Sequence, residues 1–344
     1  MGLAKRTLWA SLGLTPVVLV LNYVVNTGDV VLFVVAAIAL VPLAWVIGEA
    51  TEHVAEHTGP GVGGFLNASF GNAPELIIAV LAIQKGLPDV VRGSLTGSVV
   101  SNLLLVLGLT MIAGAGELDR RSLLTQLGTI AVAVAAFLVP SIPGWSGDRD
   151  RHSLFVLSIP VALFLLAVYL VMAIVGLRRH RAMQTPEPSH SAWSLRTSVT
   201  VLAVAAVATA FVSEALVSSL EGFGHALGWS EFFIAVVIVA IVGNAAEHGG
   251  AIVVARRGRT KLASEIAISS SAQVAVFVAP AAALLSIPGS HELTLAFRPV
   301  EIATMALATL AVAYVVFDGR STRREGIALV AGYGGAVAAY ALAG

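Results

Sequence analysis

Long apolar segments, separated by short polar connections, follow one another along the whole chain. Each is about 20 residues or longer, enough to cross a bilayer core of roughly 30 Å as a helix. We therefore expect an all-α integral membrane protein. The pattern predicts eleven membrane-spanning helices, at residues 9–25, 30–50, 62–84, 93–114, 122–141, 153–177, 197–220, 230–255, 263–287, 296–317 and 325–343.

Composition narrows the class of protein further. Hydrophobic residues make up 57% of the chain and charged residues 12%, which excludes an ordinary soluble domain. The net charge of zero gives no indication of nucleic-acid binding, and the absence of cysteine excludes disulfides and thiolate metal sites. Lys5 and Arg6 precede an apolar run as in a signal peptide. With no Ala-x-Ala-like cleavage site after it, we interpret the run as a first membrane helix.

The distribution of Lys and Arg predicts the orientation. The segments flanking the spans carry 15 basic residues on the side of the N-terminus and 5 on the opposite side, counting Arg298 at the start of the tenth span. Positive residues concentrate on the cytoplasmic side of membrane proteins. The N-terminus is therefore expected in the cytoplasm and the C-terminus outside.

A basic polar stretch near the middle divides the chain into two halves of five spans. We expect an extra N-terminal helix at 1–29, a first repeat at 30–178, a basic cytoplasmic linker at 179–196 and a second repeat at 197–344. Because five is odd, the second half enters the membrane from the opposite side. Inverted repeats of this kind place a substrate near the midplane, where discontinuous helices meet.

The pentapeptide Gly-Asn-Ala-x-Glu occurs once in each half, at residues 71–75 and 243–247. Each copy lies within an apolar segment, where a carboxylate costs several kcal/mol and is usually functional. Other polar residues recur in the same order around both copies. Acidic residues precede them at Glu49, Glu52, Glu56, Glu214 and Glu221, and polar residues follow them at Ser98, Ser101, Asn102, Ser270 and Gln273.

The chemistry of these residues predicts a calcium site. Glycine weakens each helix locally, and Pro74 frees a backbone carbonyl near Phe70, so the two copies should differ. Carbonyl, amide and carboxylate oxygens are hard ligands that suit Ca²⁺ better than copper or zinc. We expect Glu75 and Glu247 to bind the ion together with the amide oxygens of Asn72 and Asn244. Ser98, Ser101, Asn102, Ser270 and Gln273 would orient these ligands or hold water.

The same pair of acids provides proton coupling. With no ion present, two carboxyl groups in a poorly hydrated site should take up protons near neutral pH, so the site holds either Ca²⁺ or protons. His248 could relay those protons. Glu49, Glu52, Glu56, Glu214 and Glu221 would line the approach paths. We expect Ca²⁺, protons and the lipid bilayer as partners, no resident cofactor, and no nucleic acid; a homo-oligomer is left open.

These motifs resemble the Ca²⁺/H⁺ antiporters of the calcium/cation antiporter superfamily. The resemblance implies eleven helices, inverted five-helix repeats, alternating access, and Glu75 and Glu247 as the principal ion-binding acids. It also implies that the first helix of each repeat is a moving gate. The short N-terminus and basic linker differ from plant and fungal members and favour a prokaryotic protein of the cytoplasmic membrane. The resemblance is carried by residues 49–52, 71–77, 97–108, 243–248 and 269–277.

Two alternatives remain from the sequence. Na⁺/Ca²⁺ exchangers of the same superfamily share the architecture, although Gly-Asn-Ala in both copies favours protons over Na⁺. An intramembrane zinc metalloprotease would use His53, Glu56 and His57, which match the H-x-x-E-H pattern. This second alternative leaves both pentapeptides without a purpose.

Overall fold

The structure is a computed structural model and describes residues 3–25, 27–183 and 193–343. Within these ranges the regular elements are all helices, and the single β-bridge joins Glu117 to Arg320. Part of the predicted basic linker, residues 184–192, lies outside the described residues.

The first half of the chain forms eight α-helices. Two of them continue through a π-helical segment, Leu21–Val25 after α2 and Ser101–Val106 between α5 and α6. The helices are α1 (Leu3–Ser11), α2 (Leu14–Val20), α3 (Asp29–Phe70), α4 (Ala73–Gln84), α5 (Pro88–Val100), α6 (Leu107–Ala113), α7 (Arg120–Gly144) and α8 (His152–Met183).

The second half also forms eight α-helices and has two π-helical segments, Ala235–Val239 between α10 and α11 and Val274–Val278 between α13 and α14. Its helices are α9 (Leu195–Leu227), α10 (Glu231–Ile234), α11 (Ala240–Gly243), α12 (Ala245–Arg256), α13 (Thr260–Gln273), α14 (Ala279–Leu285), α15 (Pro299–Val315) and α16 (Arg323–Ala343).

Among the described residues, eight continuous helical segments are long and apolar enough to span a membrane. A ninth span consists of Glu231–Gly243 and Ala245–Arg256, which meet at a bend of 57°. Two shorter apolar helices, α4 and α15, fall below the length of a full span. The chain is therefore an all-helical integral membrane protein with eight or nine apolar spans.

The helix boundaries differ from the prediction at two prolines, Pro60 and Pro140. The prediction ended a helix at residue 50 and began the next at 62, yet α3 continues past Pro60 to Phe70. It also began a loop at Pro140, whereas α7 continues to Gly144. Membrane helices tolerate proline because neighbouring groups satisfy the freed backbone atoms. At α7, the Ser141 hydroxyl accepts a hydrogen bond of 2.9 Å from the backbone N–H of Phe297, which anchors this end of the helix.

Helices α3 and α9 pack along each other. Phe33 stacks on Phe223 with ring centroids 4.1 Å apart, and the side chain of Asp29 lies directly against Gly222. At Gly97 in α5, an added methyl group would lie 2.0 Å from the carbonyl oxygen of Val236. Small residues therefore allow the backbones of the two halves to approach closely around the centre of the protein.

Candidate functional site

Each pentapeptide interrupts a helix at its asparagine. Asn72 has φ −94° and ψ 15°, and Asn244 has φ −92° and ψ 6°, so both leave the helical conformation in the same way. Position 246 is alanine where the first copy has Pro74, so proline does not set the break. The backbone conformation at the asparagine is the same in both copies, so the expectation that Pro74 makes the site asymmetric by freeing a carbonyl stays a prediction.

At each break, the C-terminal end of one helix meets the N-terminal end of the next. α3 and α11 end just before the asparagines, and the carbonyl end of a helix carries partial negative charge. α4 and α12 begin after them, and their first turns contain Glu75 and Glu247. Each half therefore supplies carbonyl and carboxylate oxygens at its break.

Hydrogen bonds between the halves join the two breaks. The Asn72 amide donates to the Gln273 side-chain oxygen at 2.7 Å, and the Asn244 amide donates to the Ser98 hydroxyl at 2.8 Å. Asn102 donates to the Ser270 hydroxyl at 3.0 Å. In each of these three contacts, donor and acceptor come from different halves. The structure thus brings together six of the polar residues that the sequence singled out.

The two glutamates lie beside this network. Glu75 is 8% exposed, and its side chain packs against Gly243, with Cγ 3.6 Å from where a methyl group would stand. Gly243 belongs to the pentapeptide that contains Glu247, so the first-half carboxylate lies against the second-half break. Glu247 and Ser270 line the same cavity. Both Oε2 atoms are buried without a hydrogen-bond partner among the described residues, as is Asn102 Oδ1. Burying such oxygens is costly unless a proton or a cation is bound to them.

A cavity of about 500 Å³ reaches the site from one side. Glu49 and Glu52 of α3 lie along it, and Glu247, Ser270 and Gln273 line it at the site. The buried Glu75, Ser98 and Asn102 are not part of its wall. Access therefore reaches the second-half carboxylate, while the first-half carboxylate is covered by protein.

The remaining predicted residues lie elsewhere. Glu56 contacts His53 at 3.2 Å, Glu214 accepts a hydrogen bond from Tyr23 at 3.0 Å, and the exposed Glu221 is 3.8 Å from His225. None of these three acids lines the cavity.

Two other predicted residues lie close to the site without facing the cavity. His248 is buried beside the break, and its Nε2 has no partner among the described residues. The Ser101 hydroxyl donates to the carbonyl of Ser98 in its own helix at 3.4 Å, so its described hydrogen bond stays within the first half.

A second polar centre was missed by the sequence analysis. Glu301 in α15 is fully buried, and its carboxylate accepts hydrogen bonds from the Thr96 hydroxyl at 3.0 Å and the Arg298 backbone N–H at 2.6 Å. Nearby, Arg92 is 1% exposed and pairs with Asp89 at 2.6 Å and with a second acid, Asp150. The sequence does contain a signal for this centre, because Glu301 is an acid inside the predicted apolar span 296–317.

The geometry does not fit a zinc protease. His53 Nδ1 contacts Glu56, while His57 Nε2 lies 2.8 Å from the backbone oxygen of Trp193. The ring nitrogens of the two imidazoles thus contact different groups, a carboxylate and a backbone carbonyl. Within the described residues, no group of three His, Cys, Asp or Glu side chains is arranged to hold a metal ion. A cation at the central site would therefore use two carboxylates together with neutral oxygens.

Comparison with known proteins identifies the family. The model of the sodium/calcium exchanger protein family matches residues 28–177 and 197–341. The chain belongs to this family. It is 37% identical to the Ca²⁺/H⁺ antiporter ChaA of Bacillus subtilis (strain 168), over 91% of this chain and 93% of that protein. It is also 33% identical to a Ca²⁺/H⁺ antiporter of Aphanothece halophytica, over 96% of this chain and 95% of that protein.

Two solved structures have the same fold. Native YfkE superposes with a TM-score of 0.83 at 33% identity, covering 97% of this chain and 99% of the other. The H⁺/Ca²⁺ exchanger CAX gives a TM-score of 0.76 at 18% identity, covering 98% and 92% of the two chains. The second comparison concerns the fold alone.

Proposed function

We propose that this protein is a secondary antiporter that exports cytoplasmic Ca²⁺ in exchange for H⁺. The observation that carries the proposal is the pair Glu75 and Glu247 at the two helix breaks. One oxygen of each carboxylate, Oε2, is buried and has no hydrogen-bond partner in the part of the chain that the structure describes. Relatives of nearly the same length that are named Ca²⁺/H⁺ antiporters support it.

Calcium enters through the cavity in this scheme. Glu49 and Glu52 attract the cation and lead it to Glu247. Ca²⁺ takes six to eight oxygen ligands, so the amide oxygens of Asn72 and Asn244 and the carbonyls at the ends of α3 and α11 would complete its shell. Two carboxylates balance the charge of one divalent ion. Ser98, Asn102, Ser270 and Gln273 hold the asparagines and Glu247 in place.

Protons use the same oxygens. A protonated carboxyl group is neutral and cannot balance Ca²⁺, so proton binding and calcium binding exclude each other at Glu75 and Glu247. This exclusion couples the two fluxes. A site that holds neither Ca²⁺ nor protons has two ionised carboxylates, and burying them costs free energy. His248 is adjacent and buried, and we propose it as a modulator of proton access rather than as a calcium ligand.

Alternating access follows from an eleven-span topology with inverted repeats. The eight continuous spans, the bent pair and the two short helices α4 and α15 together make eleven segments. The two matched ranges of the family model support a division near the predicted linker. In this topology α3 and α9 are the gate helices. Glu49 lies toward the cytoplasm, while Glu214 and Glu221 lie toward the outside and become accessible when the gate moves.

The coupling ion decides between this proposal and a sodium exchanger. The protein is reconstituted in liposomes, and uptake of radiolabelled Ca²⁺ is driven first by a pH gradient and then by a Na⁺ gradient. We expect uptake with the pH gradient alone, lost in Glu247→Gln. Uptake that requires the Na⁺ gradient would reject proton coupling and support the sodium alternative.

A further inference from the structure

Three loops on one face of the protein are joined into a single surface, which we call the basic platform. It comprises residues 114–121, 256–261 and 316–325, at the ends of helices from both halves. Nine Lys or Arg residues and four acids lie in these stretches, so positive charge is in excess by five. The basic residues are Arg120, Arg121, Arg256, Arg257, Arg259, Lys261, Arg320, Arg323 and Arg324.

Backbone hydrogen bonds hold the first and third loops together. The N–H of Leu118 donates to the carbonyl of Gly319 at 2.8 Å, and the N–H of Ser321 donates to the carbonyl of Gly116 at 2.8 Å. The guanidinium of Arg120 lies over the ring of Phe317, 4.3 Å from its centroid. These contacts fix the relative positions of the two loops.

The second loop is attached equally closely. The Thr260 hydroxyl donates to the carbonyl of Gly114 at 2.6 Å, and a methyl group on Gly114 would lie 2.2 Å from the carbonyl oxygen of Ala255. Lys261 Nζ pairs with Glu117 at 3.1 Å, and this hydrogen bond lowers the pKa of Glu117. The platform is therefore already ordered before any ligand binds.

The acids of the platform are engaged within it and leave most of the arginines unneutralised. Asp119 caps α7 by accepting from the N–H of Ser122, Asp318 accepts from the N–H of Arg320, and Glu325 accepts from Thr322. Within the described residues, no carboxylate lies at salt-bridge distance from six exposed arginines. They are Arg121, Arg256, Arg257, Arg259, Arg323 and Arg324.

We propose that the basic platform docks the phosphate headgroups of anionic lipids in the leaflet that surrounds it. Its arginines stand at the ends of spans, which places them at the level of lipid headgroups rather than in bulk water. Guanidinium groups bind phosphate bidentately, and a cluster of this size fits anionic lipid better than a single soluble ion. Because the second loop joins α12 to α13, which contain Glu247 and Ser270, docked lipid also steadies this side of the ion site.

The test compares lipid preference in matched variants. The full chain is placed in nanodiscs that contain phosphatidylcholine with or without phosphatidylglycerol, and bound lipids are counted by native mass spectrometry. Two double variants, Arg256→Gln/Arg257→Gln and Arg323→Gln/Arg324→Gln, remove platform charges. The control Lys85→Gln/Arg151→Gln removes two charges at the opposite ends of the spans.

We expect the wild type to retain phosphatidylglycerol preferentially. Each platform variant should lose about fivefold of this preference per arginine, and the control should keep it. Unchanged thermal stability in pure phosphatidylcholine establishes that the variants fold. The proposal is overturned if the platform variants retain the wild-type preference, or if soluble glycerophosphate or polyglutamate displaces the lipid, which would identify a soluble anion or an acidic protein as the ligand.

Discussion

Gly97 allows the two halves to approach beside the ion site, and its replacement by alanine tests the structure there. The new methyl group would lie 2.0 Å from the Val236 carbonyl oxygen and 2.6 Å from Ala240 Cβ. Ordinary contact begins at 3.4 Å, so α5 and the helix segment that contains Val236 must separate by about 1.4 Å. The hydrogen bond from Asn244 to Ser98, now 2.8 Å long, cannot survive a displacement of this size.

The cost of Gly97→Ala can be worked out from these two losses. Overpacking costs about 1–3 kcal/mol, and a broken buried hydrogen bond costs about 1–3 kcal/mol. Together they predict destabilisation of about 2–6 kcal/mol. A displacement near 1 Å at the site should lower transport roughly 100-fold. Thermal unfolding of the purified protein and Ca²⁺ flux in liposomes measure the two effects.

The control for this variant is Gly128→Ala in α7, where an added methyl group has no atom within 4 Å. It should leave transport unchanged and stabilise the helix by up to about 1 kcal/mol. If Gly97→Ala unfolds and transports like the wild type, the close approach between the halves is not as described and the reasoning fails.

Two further substitutions separate structural from transport roles. Thr96→Val removes the hydroxyl that donates to buried Glu301, so the free energy of unfolding should fall by about 1–3 kcal/mol. Thr125→Val, at an exposed position, is the control. An equal loss of stability in both variants would contradict a structural role of the Thr96 hydroxyl. His53→Ala/His57→Ala should keep Ca²⁺ flux within a few-fold of the wild type, because neither imidazole lines the cavity. Complete loss of flux in that double variant would reopen the metal-site alternative.

The sequence predicted functional positions best where an ionisable side chain stands inside an apolar segment, because burying a charge there costs free energy. Two acids inside apolar segments, at matching places in both halves, predicted which side chains meet at the centre, and the membrane fold followed from long apolar runs. Glu301 is costly in the same way. It lies outside both pentapeptides, however, so the repeated motif does not draw attention to it.

Other features depend on contacts between distant parts of the chain. The break at Asn72 occurs with Pro74 nearby, but Asn244 breaks without proline, and both amides have partners in the other half. The sequence pattern around each asparagine does not predict these partners, because they lie far away along the chain. The continuous α3 was missed for a related reason. The glycines and proline of residues 59–64 are loop signals in a sequence, but a membrane helix can tolerate them when neighbouring groups satisfy its backbone.

The central claim is that one pair of carboxylates holds either Ca²⁺ or protons. The most direct test is the Ca²⁺ affinity of the purified protein at a series of pH values. Carboxylates must lose their protons to bind Ca²⁺, so affinity should fall as the pH falls, by roughly tenfold per pH unit for each displaced proton. We expect a slope between one and two protons in the wild type, and a loss of calcium binding in Glu75→Gln and Glu247→Gln. An affinity independent of pH, or wild-type binding in either variant, would contradict the account.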